Sequence, residues 1–151
     1  MQALYRGDED AAVRLAEGAE LDVFEAAALG ETERLRELLD ADPALAQARS
    51  DDDFTALHYA AFFDGTETAR LLLEHDADVN AFADNELGVR PLNSAAAAGR
   101  REVAVLLLQH GADPNAATRR GFTPLDAARE HGDEELAAAL RSHGAGDGRT
   151  A

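Results

Sequence analysis

The feature that most constrains the fold of this chain is an internal repeat. The segment FTALHYAAFFDGTETARLLLEHDADVNA (54–81) aligns with VRPLNSAAAAGRREVAVLLLQHGADPNA (89–116), and equivalent residues lie 35 apart. FTPLDAAREHGDEELAAALRSHGA (122–145) continues the series at a spacing of 33, and LDVFEAAALGETERLRELLDAD (21–42) precedes it at a spacing of 34. Periods of this length are typical of solenoids, in which one small unit stacks on the next.

Each unit carries the signals of two short helices. In the last unit Thr123 can cap a helix, and Pro124 suits its first turn because that position needs no amide partner. An Ala-rich helix follows, and a turn residue at Gly30, Asp64, Gly99 and Gly132 leads into a second helix. Neither helix is long enough to be stable alone in water, so neighbouring pairs must stack. The sequence therefore predicts an all-α solenoid of helix-turn-helix units.

Composition narrows the classes of function. The chain of 151 residues has 30 acidic and 14 basic residues, a formal charge of -16, and its basic residues are all arginine. A surface of this charge repels a phosphate backbone, so we expect no nucleic-acid partner. The missing lysine has two explanations, GC-rich coding or adaptation to high salt, and neither bears on mechanism.

Cysteine is absent, which excludes disulfides and thiol catalysis,. The N-terminus lacks the features of a signal peptide, and no apolar run approaches the roughly 20 residues that a membrane span needs. We expect a soluble cytoplasmic protein without membrane contact.

Several short motifs recur in phase and point to a known family. TALH at 55–58, DADVNA at 76–81, GADPNA at 111–116 and TPL at 123–125 resemble the ankyrin repeat. The resemblance implies units of a β-turn or hairpin finger followed by two antiparallel helices, in a small soluble protein for which we expect a prokaryotic source. On this basis we divide the chain into a partial capping repeat (1–20), four repeats (21–50, 51–83, 84–117 and 118–145) and a flexible tail (146–151).

Departures from the family pattern are specific. The family forms a hydrogen bond between the Thr and the His of its motif, and His58 is the one example of that histidine here. Asn93, Asp126 and Phe24 take its place in the other units, which puts the bond in question, above all in the third unit. The finger between Asn80 and Gly88 is two residues longer than its counterpart in the next unit, so we expect it to project further, on the binding face,.

Residues that could carry catalysis or bind a metal have simpler explanations. His75, His110 and His143 fall at the ends of successive second helices. Ligands about 10 Å apart cannot share a zinc ion, and a cation at a helix end faces a favourable dipole. The chain has no phosphate-binding glycine loop and no nucleophile motif, and its acidic runs lack calcium-loop spacing. We expect no catalytic residue, no cofactor and no metal.

Two adjacent aromatics suggest a binding surface instead. Phe62 and Phe63 match Ala97 and Ala98 in the next unit, so core packing alone does not explain them. The resemblance implies that the ends of the first helices and the fingers line a concave groove. The expected partner-binding residues are therefore Leu29, Phe54, Phe62, Phe63, Phe82, Leu87, Val89, Arg119, Arg120 and Phe122.

The resulting hypothesis is a monomeric protein-protein interaction module. Its partner would offer an apolar anchor within a basic rim, complementary to the acidic surface. The alternatives are an enzyme or small-ligand binder that uses the groove, an immunity-like or chaperone-like cap for one partner, and weak self-association. The aromatic pair could also be covered by the finger at 82–89.

Overall fold

The computed structural model describes residues 21–146, and this part of the chain contains eight α-helices. Connections of two or three residues join them into four antiparallel pairs. A 3₁₀ helix, Pro43–Gln47, follows the first pair. The α-helices are α1 (Val23–Leu29), α2 (Thr32–Ala41), α3 (Ala56–Phe62), α4 (Thr66–Glu74), α5 (Pro91–Ala97), α6 (Arg101–Gln109), α7 (Pro124–Glu130) and α8 (Glu134–Ser142).

Within residues 21–146 there is no strand, only isolated antiparallel bridges in the fingers, at Arg49 with Thr55 and at Ala83 with Val89. The predicted all-α repeat fold is therefore confirmed. One helix pair lies in each of the four predicted repeats. The predicted capping repeat at 1–20 and nearly all of the predicted tail lie outside the described residues.

The helices form two layers. The first helices α1, α3, α5 and α7 pack on one another in order, and the second helices α2, α4, α6 and α8 form a parallel row beside them. Adjacent alanines let the first helices approach closely, since Ala60 and Ala61, like Ala95 and Ala96, are 0% exposed. Leucines of the second helices, such as the fully buried Leu72, complete a core that runs through all four units.

The turn between the helices of a pair has the same conformation in every unit. Gly30, Asp64, Gly99 and Gly132 have φ angles of 72°, 63°, 73° and 65°. This left-handed region is open to glycine and tolerated by Asp. The four turn residues expected from the sequence are confirmed.

Every first helix begins with a cap from the side chain of its third residue, and in the first, second and fourth units the cap is reciprocal. The side chain of its third residue accepts a hydrogen bond from the backbone N–H of the capping residue, at 2.8, 3.1, 2.8 and 3.0 Å for Glu25, His58, Asn93 and Asp126. Two expectations are corrected. Asn93 makes the bond that was in question in the third unit, because its amide oxygen is as good an acceptor as an imidazole nitrogen. In the first unit the equivalent of His58 is Glu25 and not Phe24.

Two of these side chains also bind backbone beyond their own helix, and His58 does so in the following unit. The Nε2–H of His58 donates to the carbonyl of Val89 at 3.0 Å, while its Nδ1 accepts from Thr55. Asn93 donates from Nδ2 to the carbonyl of Ala116 at 2.7 Å. His58 is 0% exposed, and its burial lowers its pKa to about 4 despite the favourable bond to Val89. His58 is therefore a neutral residue with a structural role, as the sequence indicated.

Further side chains tie each loop to the next along the second row. Asn80 donates to the carbonyl of Gly111 at 3.1 Å and accepts from the N–H of Asp113 at 2.8 Å. Asn115 repeats both bonds one unit later, with Gly144 and Gly146. The predicted histidine column lies at the helix ends, where Nδ1 is 2.9 Å from a carbonyl of the same helix in His75, His110 and His143.

The buried histidine predicts a specific loss of stability in acid. The unfolded pKa of His58 is 6.5 and the folded pKa is about 4, so between these values the unfolded chain binds a proton that the folded chain excludes,. The contribution of the neutral His58 to the free energy of unfolding is complete above pH 6.5, and it falls by about 3 kcal/mol as the pH drops to about 4,. Asn does not titrate, and Asn93 shows that it can serve in this position. In His58→Asn this part of the acid dependence should vanish in urea unfolding measured across that range.

His143→Asn, at an exposed helix end, is the matched control and should keep the wild-type acid dependence. Identical pH profiles for wild type and His58→Asn would contradict the assignment of His58 as the buried neutral group.

Candidate functional site

A groove of about 390 Å³ lies between the first helices α5 and α7. The finger at 83–89 and the finger at 118–122 form its other sides, and most of its surface is apolar. The helices contribute Asn93, Ser94, Ala97, Pro124, Ala127 and Glu130. The fingers and the adjoining cap contribute Glu86, Leu87, Val89, Thr118, Arg120, Phe122 and Thr123.

The groove exists because two side chains are small. In the second unit Phe54, just before the cap, packs edge-on against Tyr59, the fourth residue of α3, with ring centroids 5.8 Å apart. This is the hydrophobic staple that fixes the chain as it enters a helix. The residues equivalent to Tyr59 are Ser94 in α5 and Ala127 in α7. The volume that the Tyr59 ring fills in the second unit is therefore open between α5 and α7.

The same difference decides which aromatic is exposed. Phe54 and Phe122 are equivalent finger residues, yet Phe54 is 1% exposed and Phe122 is 49% exposed. The His58 and Tyr59 rings cover Phe54, whereas the fourth unit has Asp126 and Ala127 in their places. Phe122 is the one large exposed hydrophobic side chain within residues 21–146.

Two of the expected partner-binding residues need correction. Phe54 belongs to the core, so it offers no surface to a partner. Val89 is 8% exposed, and its carbonyl is used by the N–H of Ala83 and by His58. It lines the groove from a buried position and is not an exposed anchor.

The predicted single strip is divided in the structure. Leu87, Arg120 and Phe122 join Val89 at the groove. Phe62 and Phe63 lie at the end of α3, half-buried and edge-to-face at 4.9 Å, and they do not line the groove. Leu29, at the end of α1, is also half-buried against the core. A binding role for these three residues stays a prediction.

Phe82 and Arg119 connect the fingers. The Phe82 ring lies 5.1 Å from the Arg90 guanidinium carbon and 5.7 Å from that of Arg119. Arg119 also forms an ion pair with Asp84 at 2.9 Å. Both side chains are engaged within the protein, and neither lines the groove.

Three charged side chains at the groove are available to a partner. Glu86, Arg120 and Glu130 line it, and none of them forms a hydrogen bond or ion pair with another residue in the described part of the chain. The Asn93 amide and the Thr123 hydroxyl, in contrast, are used in helix caps. The arrangement can hold apolar side chains in its centre and opposite charges at its edges.

Several groove residues were missed by sequence reasoning. Ser94, Ala97, Ala127 and Glu130 were not among the expected partner-binding residues. The available signal was the loss of bulk at the position of Tyr59 in the two following units. Among residues 21–146, no group of three potential metal-ligating side chains is brought together.

Comparison with known sequences agrees with the observed architecture. A family model described as ankyrin repeats (3 copies) matches residues 1–83, and one described as ankyrin repeats (many copies) matches residues 72–128. The chain belongs to the ankyrin repeat family. Ankyrin repeats are generally protein-protein interaction modules. In residues 21–146 of this ankyrin-repeat protein, no helix has the length and apolar character needed to cross a membrane.

A curated relative shares part of the chain. The probable E3 ubiquitin-protein ligase XBOS31 of Oryza sativa subsp. japonica is 43% identical over 84 residues. The match covers 55% of this chain and 18% of that protein. The ankyrin-repeat protein thus corresponds to less than a fifth of its relative's length, and the name describes the relative.

The different burial of the two equivalent aromatics can be tested by truncation. Phe54→Ala should lower the free energy of unfolding by about 3–5 kcal/mol because it leaves a cavity in the core. Phe122→Ala should change it by less than about 1 kcal/mol, since half of that side chain is already in water. Urea unfolding followed by circular dichroism measures both. If Phe54→Ala does not fold, Phe54→Leu provides a milder comparison, and equal costs at the two positions would contradict the assignment.

Proposed function

We propose that this ankyrin-repeat protein is a non-enzymatic binding module whose partner protein docks in the groove between α5 and α7, with Phe122 as the central contact. The observation that carries the proposal is the 49% exposure of Phe122 beside an apolar groove, although its equivalent Phe54 is buried. Aromatic side chains that become buried in a partner's surface often contribute most to binding.

A comparison of free energies shows how much of the groove the partner must cover. Burial of the exposed half of Phe122 removes roughly 100 Å² from water, worth about 2–3 kcal/mol. Association costs about 4–15 kcal/mol in lost freedom. Phe122 alone therefore cannot support a complex. Leu87 and the helix surface around Ala127 must also be covered, which suits a segment that lies along the groove.

The charges favour a partner with basic residues around its apolar contact. The chain has a formal charge of -16, and two of the three unpaired charges at the groove are the carboxylates of Glu86 and Glu130. A field of this sign speeds the approach of basic surfaces and opposes acidic ones. Arg120 gives the groove one site for an acidic group.

The enzyme and small-ligand alternatives have less support. Polar side chains that line the groove already have structural partners: Asn93 accepts a bond in a helix cap and donates one to the carbonyl of Ala116, and Thr123 accepts a bond in its helix cap. We propose that the segment shared with XBOS31 serves binding in this chain.

Leu29 at the end of α1, with Phe62 and Phe63 at the end of α3, gives a second candidate contact region along the same row of first helices.

Photo-crosslinking tests the groove directly. A benzoylphenylalanine at position 122 should form adducts with partner proteins in cells. Ala127→Tyr should abolish these adducts, because it copies Tyr59 and fills the groove. The control is the same photo-reactive residue at Ala138, which is exposed on the second helix α8. Equal labelling at 122 and 138, or labelling at 122 that survives Ala127→Tyr, would show that partners bind elsewhere.

The partner recovered by crosslinking should bind with a clear dependence on salt. Its dissociation constant should rise as the salt concentration increases from about 50 to about 500 mM, because screening weakens attraction between exposed charges. The double variant Glu86→Gln and Glu130→Gln should flatten this dependence, whereas Glu67→Gln on α4 should not. Salt-independent affinity, measured by titration calorimetry, would contradict a basic partner surface while leaving groove binding intact.

A further inference from the structure

The finger at 83–89 differs from its neighbours by an insertion. At the finger that leads into α3 the N–H of Ser50 donates to the carbonyl of Phe54 at 2.8 Å, and at the finger that leads into α7 the N–H of Thr118 donates to the carbonyl of Phe122 at 2.7 Å. The equivalent bond, from Ala83 to Val89 at 2.8 Å, encloses two more residues. The longer finger supplies Glu86 and Leu87 to the groove. The insertion predicted from the sequence therefore builds one wall of the candidate site.

The inserted segment has internal and external supports. The Asn85 side-chain oxygen accepts hydrogen bonds from the backbone N–H groups of Leu87 and Gly88, at 2.9 and 3.2 Å. On the side of the second unit, the N–H of Asp84 donates to Asp53 at 2.8 Å, and Asn85 donates to the carbonyl of Asp52 at 2.6 Å. The wall is thus attached to the preceding finger.

Arg119 holds the segment from the opposite side. Its Nε–H donates to the carbonyl of Asn85 at 2.9 Å, and its Nη2 meets the Asp84 carboxylate at 2.9 Å. Its backbone N–H donates to the carbonyl of Leu87 at 3.2 Å. The contact is close, because a Cβ added to Gly88 would lie 2.6 Å from the Cβ of Arg119. The next residue, Arg120, makes none of these contacts and lines the groove.

We propose that Arg119 is a positioning residue that latches the inserted finger, and that the latch strengthens partner binding in the groove by fixing Glu86 and Leu87 in its wall. This inference rests on the proposed function of the groove. The rigid fork of a guanidinium can reach a carbonyl and a carboxylate at once, which a lysine ammonium cannot do with the same geometry.

The latch has little influence on overall stability. The side chains of Arg119 and Asp84 are 48% and 80% exposed, and exposed ion pairs contribute little to folding,. The latch can instead reduce the freedom of a wall that would otherwise have to become ordered when a partner binds. Its loss should therefore affect finger dynamics and binding more than melting temperature.

Hydrogen exchange tests the latch without a ligand. Mass spectrometry should show faster exchange in a peptide covering residues 82–90 in Arg119→Ala than in wild type. Arg120→Ala should exchange like wild type there, and Arg119→Lys should exchange faster because one amine cannot replace the fork. All variants should retain a similar melting temperature. Unchanged exchange in Arg119→Ala, or wild-type exchange in Arg119→Lys, would overturn the latch.

Binding tests the second half of the inference. The probe is a peptide selected on the wild-type protein from a phage-displayed random library, chosen because Phe122→Ala abolishes its binding. Arg119→Ala should weaken this peptide about tenfold through the cost of ordering the finger. Arg120→Ala should change the affinity without changing exchange at 82–90, which separates direct contact from positioning.

The outcomes distinguish the two proposals. Faster exchange in Arg119→Ala together with unchanged peptide affinity would overturn the role of the latch in partner binding and leave groove binding in place. If no selected peptide depends on Phe122, the proposed function of the groove fails, and with it the role of the latch in binding. The exchange experiment then still decides whether Arg119 holds the finger.

Discussion

The fold depends on one hydrogen bond that is repeated four times, from the backbone N–H of a capping residue to the side chain three positions later. A first helix of seven residues is too short to be stable alone, and this bond closes its N-terminal end,. In the second unit the same side chain reaches into the third, through His58 to Val89, and in the third unit Asn93 binds the carbonyl of Ala116 in the loop that follows the second helix. His58 therefore fixes both the start of a helix and its register with the next unit.

The next position, the fourth residue of each first helix, takes no part in this cap. Stability and binding can therefore depend on different residues. At this position Tyr59 fills the space beside α3 and covers Phe54. Ser94 and Ala127 leave the corresponding space empty, so that a groove forms and Phe122 stays exposed. Adjacent residues thus have different tasks. The third residue of the helix maintains the stack, while the fourth decides whether the concave side is filled or open.

This division explains what the sequence could predict. Helix pairs, left-handed turns and the two-residue insertion follow from local chemistry that recurs in phase, so aligning the units was sufficient. The exposure of a finger aromatic depends on the size of a residue five positions later, and Phe54 and Phe122 are indistinguishable until Tyr59 and Ala127 are considered with them. The error at Phe24 had another cause. The spacing of 34 sets Phe24 opposite His58, whereas the capping residues Asp22 and Thr55 lie 33 residues apart, so Glu25 takes the position of His58.

The arginines show how an acidic chain can form a stack and still keep its negative surface. Several of them act between units: Arg101 meets Asp133 and Glu135 on the next helix of the second row, Arg100 binds the carbonyl of Phe62, and Arg119 holds the inserted finger. A guanidinium committed in this way cannot neutralise distant carboxylates at the groove. With 14 arginines against 30 acids, the chain keeps a formal charge of -16. Among the described residues that line the groove, Arg120 is the one basic side chain beside the carboxylates of Glu86 and Glu130. The groove that Ser94 and Ala127 leave open therefore also carries a net negative charge.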